Sequence, residues 1–169
     1  VSEINSKIIY KAGDGITTDD ICPSNARLLP FRSNIEYLSE FAFTTKIDDF
    51  KKRAEKNSGG VIVAGVNYGQ GSSREHAALI PLYLNIKAVI AKSFARIFYR
   101  NSFNMGLLIL ESPQTDEINE GDELEINVNN GEIKNLTQNK IYKFTPIPAF
   151  MQELLKDGGL INYAKKNMK

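Results

Sequence analysis

Three short apolar runs punctuate the first two-thirds of the chain: Val61-Ile62-Val63-Ala64-Gly65, Lys87-Ala88-Val89-Ile90-Ala91 and Met105-Gly106-Leu107-Leu108-Ile109-Leu110. Runs of this length, with no polar alternation, predict strands covered on both faces, as in a parallel sheet. Helical patterns separate them. Ser72 followed three residues later by Glu75 is a capping box and predicts a helix starting there. Ser93 is the predicted cap of the next helix, whose apolar residues at 94, 97 and 98 have helical spacing. Strand, helix, strand, helix, strand implies right-handed crossovers, with these three strands as the centre of the fold. Upstream, residues 7–11 read as a short strand, 35–43 as helical and 47–56 as a charged amphipathic helix ended by Asn57-Ser58-Gly59-Gly60. Downstream the pattern changes. Leu124-Glu125-Ile126-Asn127-Val128 alternates and meets the hairpin signal Asn129-Asn130-Gly131. Strands over 132–136 and 141–144 then complete a small antiparallel meander, and a short helix over 149–155 stops at Asp157-Gly158-Gly159. The chain is therefore read as α/β, a mainly parallel sheet plus a small antiparallel β meander. At 169 residues it suits a single domain over 1–169.

Two loops carry candidate chemistry. Val66-Asn67-Tyr68-Gly69-Gln70-Gly71 joins the first apolar run to Ser72-Ser73-Arg74-Glu75-His76. Two glycines one residue apart let the backbone turn sharply and approach a neighbour closely. A predicted helix start beside two hydroxyls and a guanidinium suits a carboxylate or phosphate. The same features also fit a plain helix cap. No lysine follows the second glycine, so the phosphate loop of nucleotide-binding proteins is absent, and the dinucleotide fingerprint lacks its third glycine. The serine-hydrolase elbow is missing too. His76, one turn from Ser72, can reach it or can tether the helix to the core. The second loop, Gly13-Asp14-Gly15-Ile16-Thr17-Thr18-Asp19-Asp20, is dense in small oxygen donors. A calcium loop starting at Asp14 would need a glutamate at its twelfth position, where Asn25 stands. Its structural reading is that Asp19 and the threonines cap the next segment.

Charge and cysteine count narrow the picture. Twenty-one basic against 20 acidic residues leave a net +1, which gives no global field for nucleic acid or an anionic membrane. The one cysteine, Cys22, cannot by itself form a disulfide framework, a zinc site or an iron–sulfur site. No apolar run approaches the ~18 residues of a membrane span and no signal peptide is evident, so a cytoplasmic location is expected. Residue 1 is valine, which hints at a piece of a longer polypeptide or a processed start.

Four segments together carry a family resemblance: Gly13 to Asp19, Arg32-Ser33-Asn34-Ile35, Asn67-Tyr68-Gly69-Gln70-Gly71-Ser72-Ser73-Arg74-Glu75-His76-Ala77-Ala78-Leu79, and Ala91-Lys92-Ser93-Phe94-Ala95-Arg96-Ile97. They closely resemble the C-terminal swivel domain of aconitases, whose architecture is shared by the small subunit of isopropylmalate dehydratase. The tail from Glu153 to Tyr163 looks similar too, so the likeness spans nearly the whole chain. It implies a three-layer swivelling β/β/α domain and a hydro-lyase that moves a hydroxyl between adjacent carbons of a citrate-like acid. In that family a 4Fe-4S cluster, held by cysteines of other domains or of a partner subunit, acts as the Lewis acid, and a serine alkoxide takes the carbon-bound proton.

By resemblance Ser72 is that base, Ser73 and Arg74 line the pocket with Arg74 on a substrate carboxylate, Arg32 is a second carboxylate-binding arginine, and Asp19 is an active-site aspartate. A serine can act as a base only where dipoles and cations favour its alkoxide, and arginines suit bidentate carboxylate recognition. One departure is Asp20, which stands where aconitases usually place a histidine. The expected activity is citrate to isocitrate via cis-aconitate, in the tricarboxylic acid cycle, inactive without the cluster-bearing domains or large subunit. The alternatives are the small subunit of 3-isopropylmalate dehydratase, in leucine biosynthesis, and a non-catalytic RNA-binding or regulatory module. The wording of the Tyr68 to Leu79 run and the Arg32-Ser33-Asn34-Ile35 segment favours aconitase, and the lack of a basic stripe argues against nucleic acid as a partner.

Overall fold

In a computed structural model, residues 3–23, 34–72 and 74–167 are described. Seven strands form one sheet: β1 (Glu3–Lys11), β2 (Gly60–Val63), β3 (Ile86–Ala91), β4 (Ile109–Glu111), β5 (Glu123–Asn127), β6 (Glu132–Asn135) and β7 (Lys140–Lys143), in the order β4-β3-β2-β1-β5-β6-β7. The expected parallel layer and the expected meander are both present, and they are two halves of the same sheet. β1 runs parallel to β2, with Ile8 opposite Val61, and antiparallel to β5, with Ile4 opposite Ile126. β2–β3 and β3–β4 are parallel, whereas β5–β6 and β6–β7 are antiparallel. The sheet therefore turns on β1, and its parallel part has four strands where the apolar runs alone suggested three.

The reason lies in burial. All four residues of β2 are buried, and so are Val89 and Ile90 of β3 at its side. Each such Val or Ile contributes about 1.5–3 kcal/mol relative to exposure, so the inner strands hold the parallel half. β1 reads differently because its first half alternates: Glu3, Asn5 and Lys7 are exposed, and only Ile8, Ile9 and Tyr10 are buried.

Seven α-helices are described: α1 (Thr18–Ile21), α2 (Ile35–Ser39), α3 (Phe50–Lys56), α4 (His76–Tyr83), α5 (Arg96–Met105), α6 (Ala149–Asp157) and α7 (Leu160–Asn167). α4 packs against α1, α2, α5 and β3, with Ala77, Ala78, Ile80 and Pro81 buried. The predicted helices over 35–43 and 47–56 are shorter than their patterns, and α7 had no separate signal. The run from Met105 to Leu110 also divides. Met105 ends α5, Gly106 closes it in the left-handed conformation (φ 92°), and Leu107 N–H donates to Ser102 O at 2.8 Å, so the strand starts only at Ile109.

Two predicted caps are corrected. α4 opens at His76 with Glu75 at its N-cap position and no side-chain cap, so Ser72 stands outside the helix in an exposed turn. Ser93 does not cap α5 either. Ala95 occupies that position, and the Ser93 hydroxyl accepts from Asn67 N–H at 2.9 Å, tying two loops together. In both cases the serine has a loop partner or a cavity beside it, and the local signal that marks a cap cannot tell these apart. The irregular segment around Arg27 to Ser33, with Arg32, lies outside the described residues, as does Ser73. No described helix is long and apolar enough to cross a membrane.

Candidate functional site

Parallel strands deliver their following loops to one end of the sheet, where ligands of open α/β sheets bind. Here the loops after β1, β2 and β3 meet and are stitched by backbone hydrogen bonds. Gly15 N–H donates to Val66 O at 2.8 Å, Gly69 N–H to Ile16 O at 2.7 Å and Thr18 N–H to Gln70 O at 2.8 Å. Tyr68 N–H donates to Ser93 O at 3.1 Å, and Ala95 N–H returns to Tyr68 O at 3.0 Å. The glycines permit this approach. A Cβ on Gly65 would collide with the Asp14 carboxylate, which accepts from Val66 N–H at 2.9 Å. A Cβ on Gly69, whose φ is 89°, would run into the Phe98 ring.

Tyr68 is the peg beneath this rim. Its ring meets Phe94 and Phe98 edge-on at centroid distances of 5.8 and 5.3 Å. Its hydroxyl is buried and has no hydrogen-bond partner among the described residues, and burial pushes the phenol well above its ordinary value, so it stays neutral.

A cavity of about 220 Å³ opens on the stitched loops. It is lined by Thr18, Gln70, Gly71, Ser72 and Arg74 and by the opening turn of α5, Ala95 to Phe98, with Asn101. Of the residues singled out from the sequence, Ser72 and Arg74 share this cavity. Asp19 stands behind Arg74: the Arg74 Nη1 atom lies 3.2 Å from Asp19 Oδ1 and donates to the Cys22 carbonyl, also at 3.2 Å. The pair is too exposed to add more than about 1 kcal/mol, so its effect is to aim the guanidinium.

Asp20 has a structural part. Thr17 and Asp20 form a reciprocal capping box at the start of α1, Thr17 N–H to Asp20 Oδ2 at 2.9 Å and Asp20 N–H to Thr17 Oγ1 at 3.0 Å, and Thr45 Oγ1 donates to Asp20 Oδ1 at 2.6 Å. Burial pushes this carboxyl up, but these hydrogen bonds and nearby Lys46 outweigh it and hold it below its ordinary value. The capping expected of Asp19 belongs to its neighbour.

The sequence reading missed the α5 side of the cavity. The spacing of 94, 97 and 98 marked only a helical period, and within it Ile97 is 53 % exposed while Phe98 is buried. With Ser93 read as the cap, the sequence offered no separate signal for this side of the cavity. A larger cleft of about 760 Å³ lies at the opposite end of the parallel strands, between α6 and the start of β3. It is lined mainly by aliphatic residues and holds none of the candidate side chains, so chemistry, not size, selects the smaller cavity.

The donor set does not fit an iron–sulfur cluster. Cys22 is the sole thiol, is buried, and is pushed up by that burial, with Arg74 partly opposing. A cubane needs about four thiolates. No group of three or more metal-ligating side chains occurs among the described residues.

Comparison with known proteins agrees with this layout. The family model for the aconitase C-terminal domain matches residues 32–115. The 3-isopropylmalate dehydratase small subunit 1 of Thermotoga maritima is 50 % identical over 159 residues, 94 % of this chain and 93 % of that protein. The 3-isopropylmalate dehydratase small subunit of Aliarcobacter butzleri is 52 % identical over 161 residues, 95 % and 94 % of the two chains. The crystal structure of a 3-isopropylmalate dehydratase from Methanocaldococcus jannaschii superposes with a TM-score of 0.89 at 40 % identity, covering 98 % of this chain and 95 % of that one. With such identity along nearly its whole length, the chain belongs to the aconitase C-terminal domain family of hydro-lyases, beside the 3-isopropylmalate dehydratase small subunits.

Proposed function

We propose that this chain is the small subunit of a dehydratase acting on 3-isopropylmalate, working with a large subunit that carries the iron–sulfur cluster. The observation that carries the reading is the similarity above, about half of all positions over more than nine-tenths of both chains, to proteins named for that reaction. The citrate substrate and the tricarboxylic acid cycle expected from the motif wording give way to it. Part of that wording, Arg32 and Ser33, lies outside the described residues.

The cavity chemistry supports the change. Isopropylmalate keeps two carboxylates and carries a branched alkyl group where citrate has a further carboxymethyl arm. Ala95, Ile97 and Phe98 line the same cavity as Ser72 and Arg74 and give it apolar surface beside Arg96 and Asn101. Apolar side chains of this kind accept an isopropyl group and add nothing to the binding of a carboxymethyl arm.

Within this reading Ser72 takes the proton from the carbon that carries no hydroxyl, and returns it when water adds back. Arg74, aimed by Asp19, holds a carboxylate and lowers the cost of the nearby alkoxide. Ser73 and Arg32 complete the binding groups assigned by resemblance. The departing hydroxyl belongs to the partner's side of the site, since this chain's donors do not hold the cluster.

The test is reconstitution with the large subunit of a 3-isopropylmalate dehydratase. We expect kcat/KM for 3-isopropylmalate to exceed that for citrate by about 100-fold or more, and Ser72→Ala to lower kcat by about 10²–10⁴. Preference for citrate overturns the substrate, and full turnover in Ser72→Ala overturns the base.

A further inference from the structure

The hairpin signal Asn129-Asn130-Gly131 shapes the meander and takes no part in the site, yet it holds the one Asn-Gly pair of the chain. An asparagine side-chain amide is open to attack by the backbone nitrogen of the residue after it, and a glycine there puts no side chain in the way. Three Asn-Ser pairs, Asn5-Ser6, Asn57-Ser58 and Asn101-Ser102, are the natural comparison. The structure treats the four pairs differently.

Asn130 and Gly131 lie in the turn between β5 and β6, whose flanking residues Asn127 and Glu132 stand opposite each other. Asn130 is exposed. Its backbone N–H donates to Asn127 Oδ1 at 3.0 Å, while its side-chain amide makes no hydrogen bond among the described residues. The Gly131 N–H, which carries the attacking nitrogen, has no partner among the described residues either; only the Gly131 carbonyl is used, accepting from Phe144 N–H at 3.0 Å. Asn57-Ser58 is held at both ends: the Asn57 amide donates to Arg53 O at 2.8 Å, and Ser58 N–H donates to Glu55 O at 3.4 Å. Asn5-Ser6 lies inside β1, paired with β5, and Asn101-Ser102 lies inside α5. Nor does the turn exchange its glycine freely. Gly131 sits at φ 68°, a left-handed conformation that residues with a Cβ adopt at a cost.

We propose that Asn130 is a spontaneous modification site of the folded chain, deamidated through a cyclic imide with water as the only co-reactant. The Gly131 nitrogen bonds to Asn130 Cγ, the bond from Cγ to Nδ2 breaks, and the Gly131 proton leaves with the amide group as ammonia. Water then opens the imide at either carbonyl, and nothing is oxidised or reduced. One opening leaves an aspartate. The other leaves an isoaspartate, in which the main chain runs through the side-chain carbonyl and the former α-carbonyl becomes a free carboxylate. Either product adds a negative charge to the turn, and the isoaspartate also lengthens the main chain between the opposed Asn127 and Glu132. The neighbouring Val128 and Asn129 line the larger cleft and not the smaller cavity, so the change falls away from Ser72 and Arg74. It depends on no reading of the substrate.

The experiment incubates the complete chain in mildly alkaline buffer, folded and in urea, and follows it by peptide mapping and by methyl transfer from S-adenosylmethionine with an isoaspartate methyltransferase. In the folded chain the peptide containing Asn130 should gain about one mass unit and become a methyl acceptor, and it should do so before any change at Asn57. Asn130→Ser keeps the backbone N–H and leaves Gly131 in place, so it should fold as the wild type does and lose both the early mass gain and the methyl acceptance. An intact Asn130 in the folded chain, after incubation long enough to convert it in urea, overturns the proposal by showing that the folded turn protects the pair. Asn57 reacting ahead of Asn130 in the folded chain overturns it as well. So does an early mass gain that persists in Asn130→Ser, which would place the reaction at another residue.

Discussion

Gly69 and Gly13 look alike in the sequence, each within a glycine-bearing loop, and the structure separates them. Gly69 sits at φ 89° with the Phe98 ring where a Cβ would be, whereas nothing lies within 4 Å of a Cβ on Gly13, whose φ is not positive. Combined strain and overpacking should make Gly69→Ala cost about 2–4 kcal/mol, against less than about 1 kcal/mol for Gly13→Ala. Urea unfolding of the two variants checks this, and equal losses would show that the Phe98 ring yields freely. At this scale Ser72 and Arg74 were legible because the run that contains them is long and specific. Ile97 was not, because a 3.6-residue period marks an apolar stripe without saying whether it faces the core or a cavity mouth.

The helix starts show what a local signal can and cannot specify. Ser72 and Glu75 have the capping spacing, and the helix begins at His76 instead. The box that does form is Thr17 with Asp20, in a loop read mainly for its oxygen donors. Because Asp20's folded carboxyl titrates below the unfolded value of about 3.9, its stabilisation is present above that pH and is lost as pH falls through the folded value. Asp20→Ala should therefore be about 1–2 kcal/mol less stable than wild type at pH 7. Its difference from wild type should shrink below about pH 4. A difference that stays constant down to pH 2.5 would mean the carboxylate charge plays no part. The aspartate that replaces the usual histidine thus supports the loop that carries Asp19.

For the molecule as a whole, the parallel strands and the meander were legible separately, and their junction was not. Strand patterns report which residues are apolar, and pairing partners depend on register over long separations. β1 is the element that decides it, since Ile8 N–H donates to Asp122 O and Gly121 N–H to Ile8 O, both near 2.9 Å, while Ile8 also stands opposite Val61. A strand shared in this way should make the two halves open together. Native-state hydrogen exchange at Ile126 and Ile133 should give opening free energies within about 1 kcal/mol of those at Val89 and Ile90. A meander that exchanges several kcal/mol more easily would be a separate cooperative unit.

The sharing of β1 also has a temporal side. Its partners on either flank, residues 61–63 and 123–127, come much later in the chain. While the polypeptide emerges from the ribosome, a strand with two unpaired edges must wait, and contacts of such long range make for slow folding. The exposed Glu3, Asn5 and Lys7 then act as a guard, keeping an early-made strand from pairing with a stranger before its own neighbours exist.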